Sequence, residues 1–237
     1  MDMAADATWE IHDRKVIACR ACPRLVAWRE QVAREKRRAY RDWEYWGKPV
    51  PGFGDRQARV LVVGLAPGAH GSNRTGRMFT GDASGDFLYP ALCEAGFANQ
   101  GSATERGDGL ELRGLYISAV CRCAPPDNKP SREEIRNCLP FLVEEMNLLV
   151  HLQGIVALGS LAFHESLGLL KATYQLVESE KPAFVHSQLY SYGSEIPWLL
   201  ASYHPSRQNT QTGRLTKAMF AEVWRRAREL IGEERYC

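Results

Sequence analysis

Aromatic, acidic, amide and imidazole side chains follow three separate apolar runs of this chain. Residues 60–63 lead into a loop that contains Phe79 and Asp82, and two later runs are followed by Asn128 and by His204. An aromatic ring can stack on a flat heterocycle, while an amide and an imidazole can form hydrogen bonds with the edge of that ring. The set therefore indicates a site that grips a planar ring.

The loop at residues 64–82 follows an apolar run and is rich in glycine, which is typical of a buried parallel strand that ends in a ligand-facing loop. In open α/β sheets, ligands bind beyond the carboxyl ends of the strands. The same loop carries His70, Asn73, Arg74 and Arg77. From this segment alone, an ordinary surface loop after a core strand remains the alternative.

Strand-like and helix-like segments alternate along the chain, which predicts a doubly wound α/β protein. We expect a three-layer αβα fold, a single domain over residues 1–237, around a central four-stranded and mainly parallel sheet. The predicted strands are 59–64, 115–120, 154–159 and 198–203. Helices are predicted over 23–46, 84–96, 160–170 and 213–231, and after Ser131, where Glu134 completes a capping box. Residues 1–10 are expected to be disordered, and 171–197 irregular with short strands.

Length and charge exclude several classes of protein. The 237 residues suit one domain with an ample core, and the net charge of +2 implies no bulk polycation. Residues 1–10 lack the features of a signal peptide, and no run is long and apolar enough for a membrane span. We therefore expect a cytoplasmic protein without membrane contact, and a monomer.

Seven cysteines, an odd number, argue against a secreted disulfide framework. Cys19 and Cys22 form a CxxC pair that could be a redox dithiol, half of a zinc site or half of an iron–sulfur site. A redox dithiol usually follows a strand, and none is evident here. Cys93 falls on an apolar helical face and is expected to be a core thiol. Cys237 is the last residue, where chains fray.

Three motifs together resemble a known enzyme family. They are GLAPGAHGSNRTGRMFTGD at 64–82, CAPPDN at 123–128 and HPSRQNT at 204–210. The chain resembles the iron–sulfur branch of the uracil-DNA glycosylase superfamily, and most of all family 5, the b-type, over roughly residues 19–216. The resemblance implies a DNA repair enzyme that flips a damaged nucleotide out of the duplex and hydrolyses its N-glycosidic bond.

The resemblance also implies a role for each site residue. The flipped base would stack on Phe79, with the backbone of Gly64, Leu65 and Ala66 along its edge. Asn128 would bind O4 and N3–H of uracil, and an Asx-turn role is its alternative. His204 would stabilise negative charge on O2 of the leaving base, although a lone histidine is more often structural. Asp82 would position or activate water and stabilise the sugar cation.

DNA contacts are expected from a wedge and from phosphate-binding cations. The wedge would come from the residues after the histidine, which are Ser206, Arg207, Gln208 and Asn209. Arg74 and Arg214 are the candidate phosphate contacts.

By the same resemblance, Cys19, Cys22, Cys123 and Cys138 should hold a structural 4Fe-4S iron–sulfur cluster that ties the helical segment 19–46 to the rest of the chain. Composition alone does not separate this cluster from zinc, because four thiolates suit either. Cys121 is the rival to Cys123 as the third ligand, since two residues along a strand point to the same face.

Two departures from the family pattern bear on specificity. Leu65 and Ala66 are apolar where many relatives carry a polar or acidic residue, so Asp82 has to supply the carboxylate, as in family 5. That family tends to accept hypoxanthine and other deaminated bases besides uracil. Gly68 stands where the family usually has alanine.

Two alternative functions remain open at this point. One is a DNA-binding relative with altered activity or covalent uracil-DNA binding, although no inserted basic loop is present between Gly81 and Leu88. The other is a zinc-stabilised hydrolase of free nucleosides.

Overall fold

Runs of aliphatic residues form the centre of one β-sheet in the computed structural model, which describes residues 3–176 and 182–232. The strands in chain order are β1 (Phe53–Gly54), β2 (Val60–Gly64), β3 (Leu115–Ala119), β4 (Gly154–Leu158), β5 (Leu189–Tyr190) and β6 (Trp198–Ser202). Every residue of β2, β3, β4 and β6 is buried, as in parallel strands covered on both faces. These four strands confirm the four predicted ones to within one residue at each end.

The sheet order is β1-β3-β2-β4-β6-β5, and the four inner strands are parallel. The two edge strands are antiparallel to their neighbours. The described sheet is therefore six-stranded and mixed, and the predicted count of four is wrong. Strands of two residues are too short to show the alternation that identifies a strand in a sequence.

The described residues form eight α-helices, five of which pack on the two faces of the sheet. They are α1 (Met3–Ala18), α2 (Pro23–Glu35), α3 (Ser72–Thr75), α4 (Gly85–Glu94), α5 (Arg132–Leu148), α6 (Ser160–Tyr174), α7 (Arg207–Gln211) and α8 (Lys217–Leu230). Along β2, Val60 and Val62 pack into a core with α4 and α8, whereas Leu61 and Val63 pack into a core with α1, α5 and α6. The fold thus has the three layers that strand–helix alternation predicts.

The N-terminus differs from the prediction of disorder over residues 1–10, because α1 begins at Met3. Trp9 is 2% exposed and its ring lies 5.0 Å from the ring of Tyr116, at the sheet. His12 is fully buried, with Nε2 3.5 Å from the Glu145 carboxylate of α5. These contacts dock a helix whose amphipathic pattern is too weak to predict it.

The predicted helix over 23–46 ends early, at Glu35. Lys36 has a positive φ of 54°, which a right-handed helix does not admit. Residues 36–47, called the strap below, lie against the glycine-rich loop after β2. Trp46 N–H donates to the carbonyl of Arg74 (2.9 Å), and Gly47 N–H donates to the carbonyl of Asn73 (3.0 Å).

One further helix prediction is confirmed and two differ in their bounds. The predicted capping box of Ser131 and Glu134 is present at α5. The predicted helix over 160–170 extends to Tyr174, and the last predicted helix, 213–231, is shorter at both ends as α8. Cys237 and part of the segment 171–197 lie outside the described residues. No helix of the described chain is long and apolar enough to span a bilayer.

Candidate active site

A pocket of about 520 Å³ lies beyond the carboxyl ends of β2, β3 and β6, within the size range of small-ligand sites. Because β2 has β3 on one side and β4 on the other, this is also the point at which the strand order reverses, where open α/β sheets bind ligands. All seven predicted base-binding and catalytic residues line it. They are Gly64, Leu65, Ala66, Phe79, Asp82, Asn128 and His204.

The Phe79 ring forms one wall of this pocket. It lies so close to the end of β2 that a Cβ at Gly64 would be 3.0 Å from its Cζ atom. Its centroid is 5.8 Å from that of the His204 ring, at an interplanar angle of 33°. Phe79 has a φ of 50°, an uncommon conformation for a bulky residue. The backbone is therefore held in a strained turn that aims the ring.

Asp82 is held at the N-terminus of α4. Its Oδ1 atom accepts hydrogen bonds from the N–H groups of Ser84 (3.0 Å) and Gly85 (3.2 Å). Its Oδ2 atom lies over two glycines, since a Cβ would be 1.9 Å from it at Gly71 and 3.1 Å from it at Gly68. Burial raises the pKa of Asp82, and the two N–H groups partly oppose that rise. A carboxylate in a pocket whose pKa is raised by burial is a candidate to accept a proton or to stabilise a positive charge.

His204 follows β6, and burial lowers its pKa to about 4. The imidazole is thus neutral near pH 7 and can donate one hydrogen bond. Asn209 Nδ2 donates to the carbonyl of His204 (2.9 Å), and Ser206 caps α7 by accepting from the N–H of Asn209 (3.4 Å). These bonds fix the loop that presents the ring.

Asn128 and Asp127 lie at the mouth of the pocket in consecutive left-handed conformations, with φ values of 55° and 54°. Main-chain hydrogen bonds close this turn, from Asn128 N–H to the carbonyl of Pro125 (3.3 Å) and from Lys129 N–H to that of Pro126 (3.0 Å). Asp127 was not predicted as a site residue. The Pro-Pro-Asp-Asn turn was its signal, because Asp and Asn tolerate left-handed backbone.

Five further pocket residues were not predicted as site residues, namely Gly68, Ser72, Met78, Ser84 and Ala119. Met78 directly precedes Phe79, and its carbonyl accepts a hydrogen bond from the Tyr89 hydroxyl (2.7 Å). A single methionine between Arg77 and Phe79 gives no pattern that would have identified it.

The predicted wedge residues divide into two groups. Ser206 and Gln208 line the pocket, and Arg207 and Gln208 are exposed. The Asn209 side chain instead donates its hydrogen bond within the protein, to the His204 carbonyl. Arg214 is exposed, with its guanidinium 4.7 Å from the ring centroid of Tyr203.

Arg74, the other predicted phosphate contact, is only 3% exposed. Its guanidinium lies 3.9 Å from the ring centroid of Tyr40 and 4.1 Å from that of Trp43. It donates to the carbonyls of His70 and Gly81, both at 2.8 Å. A guanidinium enclosed in this way braces the loop and does not face solvent, which gives no support to the predicted phosphate contact.

Sequence comparison agrees with the pocket. A family model described as the uracil DNA glycosylase superfamily matches residues 51–228, which include every residue of the pocket. The chain belongs to the uracil DNA glycosylase superfamily. It is 53% identical to a type-5 uracil-DNA glycosylase of Thermus thermophilus, over 91% of this chain and 94% of that protein.

Relatives from other organisms agree on the type within the superfamily. The chain is 49% identical to a type-5 uracil-DNA glycosylase of Mycobacterium tuberculosis, over 92% of this chain and 80% of that protein. A type-4 uracil-DNA glycosylase of Pyrobaculum aerophilum is 33% identical over 69% of this chain and 74% of that protein. The chain thus belongs with the type-5 members of the superfamily.

The superfamily match begins after the CxxC pair, but the structure brings that pair to the other predicted ligands. Cys19, Cys22, Cys123 and Cys138 line one small cavity between α2 and α5. Cys121 does not line it and packs in the same core as Cys138. Cys93 packs at the edge of the other core, as a core thiol should.

Hydrogen-bond donors point at the sulfur atoms of this cavity. Arg29 Nη1 lies 2.9 Å from Cys123 Sγ, the N–H of Arg122 lies 3.2 Å from Cys138 Sγ, and Asn137 Nδ2 lies 3.7 Å from Cys22 Sγ. Such donors stabilise thiolates, the form that binds metals. Among the described residues, however, no three His, Cys, Asp or Glu side chains converge as a single ion requires. Four thiols around one cavity, with N–H donors at three of their sulfur atoms, are a donor set that suits a thiolate-bound metal centre.

Proposed function

We propose that this protein is a monofunctional DNA N-glycosylase that flips uracil out of DNA and hydrolyses its N-glycosidic bond. The observation that carries the proposal is the meeting of Phe79, Asp82, Asn128 and His204 around one pocket, from loops that follow three different strands. The membership of the superfamily supports the same reaction.

Recognition of the base uses a stacking surface and one amide. The pyrimidine ring lies on Phe79, because base–aromatic stacking tolerates any flat ring. The Asn128 amide both donates and accepts, which matches O4 and N3–H of uracil. The backbone of Gly64, Leu65 and Ala66 borders the ring where β2 ends.

His204 stabilises the leaving base. As the glycosidic bond breaks, the electron pair moves to the base and negative charge gathers on O2. Because burial lowers the pKa of His204 to about 4, the ring is a neutral donor at the working pH. A donor that the loop fixes in advance stabilises the charge as it develops without reorganising.

Asp82 acts on the sugar side of the bond. Oδ1 is occupied by two backbone N–H groups, which leaves Oδ2, over Gly68 and Gly71, to hold the attacking water. The carboxylate accepts the proton of that water as oxygen bonds to C1′, and its charge stabilises the cationic sugar. The products are the free base and an abasic site.

The apolar wall at Leu65 and Ala66 makes the pocket tolerant of other bases. Side chains there offer no hydrogen bond whose loss would reject a purine, and polar contacts are the stronger means of discrimination. We therefore include hypoxanthine and other deaminated bases among the substrates.

DNA engagement uses the loop and helix after His204. Ser206 and Gln208 lie at the pocket and Arg207 is exposed beside them, which suits a wedge that enters the base stack when the nucleotide leaves it. Arg214 contributes a phosphate contact. The protein works as a monomer in the compartment that holds the genomic DNA.

Cys19, Cys22, Cys123 and Cys138 hold a structural 4Fe-4S cluster. It supplies no chemistry at the glycosidic bond, because its ligands line a different cavity from the base pocket. Its role is to join the segment before α2 to the start of α5, with Arg29 and Asn137 as donors to the sulfurs.

A single assay tests this function against its rivals. The purified protein should convert a duplex oligonucleotide with one uracil into a product with one alkali-labile site, and release free uracil. A DNA adduct that survives denaturing electrophoresis would instead indicate the covalent uracil-DNA binder. Cleavage of free nucleosides, with zinc and no iron in the protein, would indicate the nucleoside hydrolase. A panel of oligonucleotides with hypoxanthine, xanthine and uracil then ranks the substrates.

A further inference from the structure

A buried ion pair lies outside the base pocket, between Arg77 and Asp108. Arg77 Nη1 and Nη2 donate to the two carboxylate oxygens of Asp108, at 2.8 Å and 2.7 Å. The two side chains are 6% and 10% exposed. Two parallel bonds of this kind fix the orientation of a guanidinium as well as its position.

Asp108 also organises the loop between α4 and β3. Its carboxylate accepts hydrogen bonds from the N–H groups of Thr104 (2.8 Å), Glu105 (3.3 Å) and Leu110 (3.1 Å). The loop therefore forms around this carboxylate. Because these bonds fix the carboxylate, it holds the Arg77 guanidinium in one position. None of these loop residues lines the base pocket.

Hydrogen bonds connect Arg77, and through it Asp108, to the turn that carries Phe79. Arg77 Nε donates to the Thr80 hydroxyl (2.9 Å), which in turn donates to the carbonyl of Met78 (3.1 Å). The bonds from Arg77 thus reach the residues on both sides of Phe79, whose φ of 50° is strained for a bulky side chain. Strained conformations persist only where the surroundings over-determine them.

We propose that Asp108 and Arg77 are positioning residues that hold the turn 78–80 and so aim the Phe79 ring at the flipped base. This inference rests on the proposed function, in which Phe79 is the stacking surface. Neither residue touches the base, and the loop between α4 and β3 gains a role in excision although it lies outside the pocket.

The test is a double-mutant cycle between Asp108→Asn and Phe79→Ala, read as the single-turnover rate of uracil excision. Asparagine keeps the shape of the side chain but removes the charge that holds Arg77. Asp108→Asn should lower the rate about tenfold, since a shift of the order of 1 Å in a positioned group can cost about a hundredfold. In the Phe79→Ala background it should cause no further loss. An equal loss in both backgrounds would overturn the proposal.

Thr80→Val provides a second variant that leaves the ion pair intact, should Asp108→Asn not fold. It removes the hydroxyl link between Arg77 and Met78 at constant volume, and the same cycle with Phe79 should show the same absence of further loss. An unchanged rate in Thr80→Val overturns the proposed connection.

Two measurements separate positioning from general damage. The affinity of Asp108→Asn for a duplex with an abasic site, which offers no base to stack, should equal that of the unmodified protein, and a parallel loss contradicts the proposal. Arg132→Gln, which breaks an exposed pair with Glu165, is the matched control and should leave the rate unchanged. If the unmodified protein excises no uracil, the proposed function itself fails.

Discussion

Oδ2 of Asp82 occupies the space that a side chain at Gly71 would need, 1.9 Å from the position of an ideal Cβ. Gly71 is therefore required by close approach and not by its φ of −99°. The relation links the sequence of the glycine-rich loop directly to the placement of the carboxylate.

Gly71→Ala should force the Asp82 side chain or the loop to move, because the methyl group would overlap the carboxylate oxygen and carbon. We expect the excision rate to fall by roughly a hundredfold or more, with little change in affinity for DNA. Gly68→Ala is the matched control, since its Cβ would be 3.1 Å from the same oxygen and a small shift accommodates it. Equal losses in the two variants would show that the carboxylate position is not the cause.

Asp82→Asn should abolish excision and at the same time stabilise the fold at neutral pH. Burial raises the pKa of Asp82 in the folded protein, so the ionised carboxylate costs stability at every pH above the folded-state value. Asparagine keeps the acceptor for the N–H groups of Ser84 and Gly85 and removes that cost. Thermal unfolding of the variant and the parent protein measures this difference in stability. The variant should be more stable than the parent at pH 7 and equally stable at pH 3. A variant that is less stable than the parent at pH 7 would contradict this account.

His204→Gln should remove part of the pH dependence of stability as well as the donor to the base. The pKa of His204 is about 4 when folded and about 6.5 when unfolded. Between these values the unfolded chain binds more protons, so the free energy of unfolding rises with pH through this window and is constant above it. Denaturant unfolding from pH 4 to pH 8 should show a smaller rise in the variant. An identical pH profile would mean that His204 does not titrate as its burial implies.

Cys123→Ser should cost the protein its brown colour and most of its roughly four iron atoms per chain, whereas Cys121→Ser should keep both. Only Cys123 lines the cavity with the other three thiols, and Arg29 points at its sulfur. Iron analysis and visible absorbance of protein purified without oxygen provide the measurement. Iron retained in Cys123→Ser and lost in Cys121→Ser would transfer the ligand to Cys121.

The parts of the molecule that sequence patterns predicted are those governed by local rules. The four inner strands are continuous apolar runs, and their parallel pairing brings the loops that carry Phe79, Asp82, Asn128 and His204 to one edge of the sheet. The capping box at Ser131 is likewise a property of four neighbouring residues.

The features that sequence patterns did not show depend on contacts between distant segments. α1 forms because Trp9 and His12 dock on β3 and α5, more than a hundred residues away. Arg74 is buried because Tyr40 and Trp43 close over it, and a motif in which arginine sits among glycines cannot show that. The edge strands β1 and β5 exist only through their partners.

The strap gives residues 36–47 an importance that the extent of the family match, which starts at residue 51, would not suggest. A chain truncated to the matched span would strip both aromatic covers from Arg74 and two main-chain partners from residues 73 and 74. The Arg74 guanidinium would then be open to water, and the glycine-rich loop beside Asp82 would lose the contacts that cover it. The smallest autonomous enzyme therefore starts upstream of the span that the superfamily model matches.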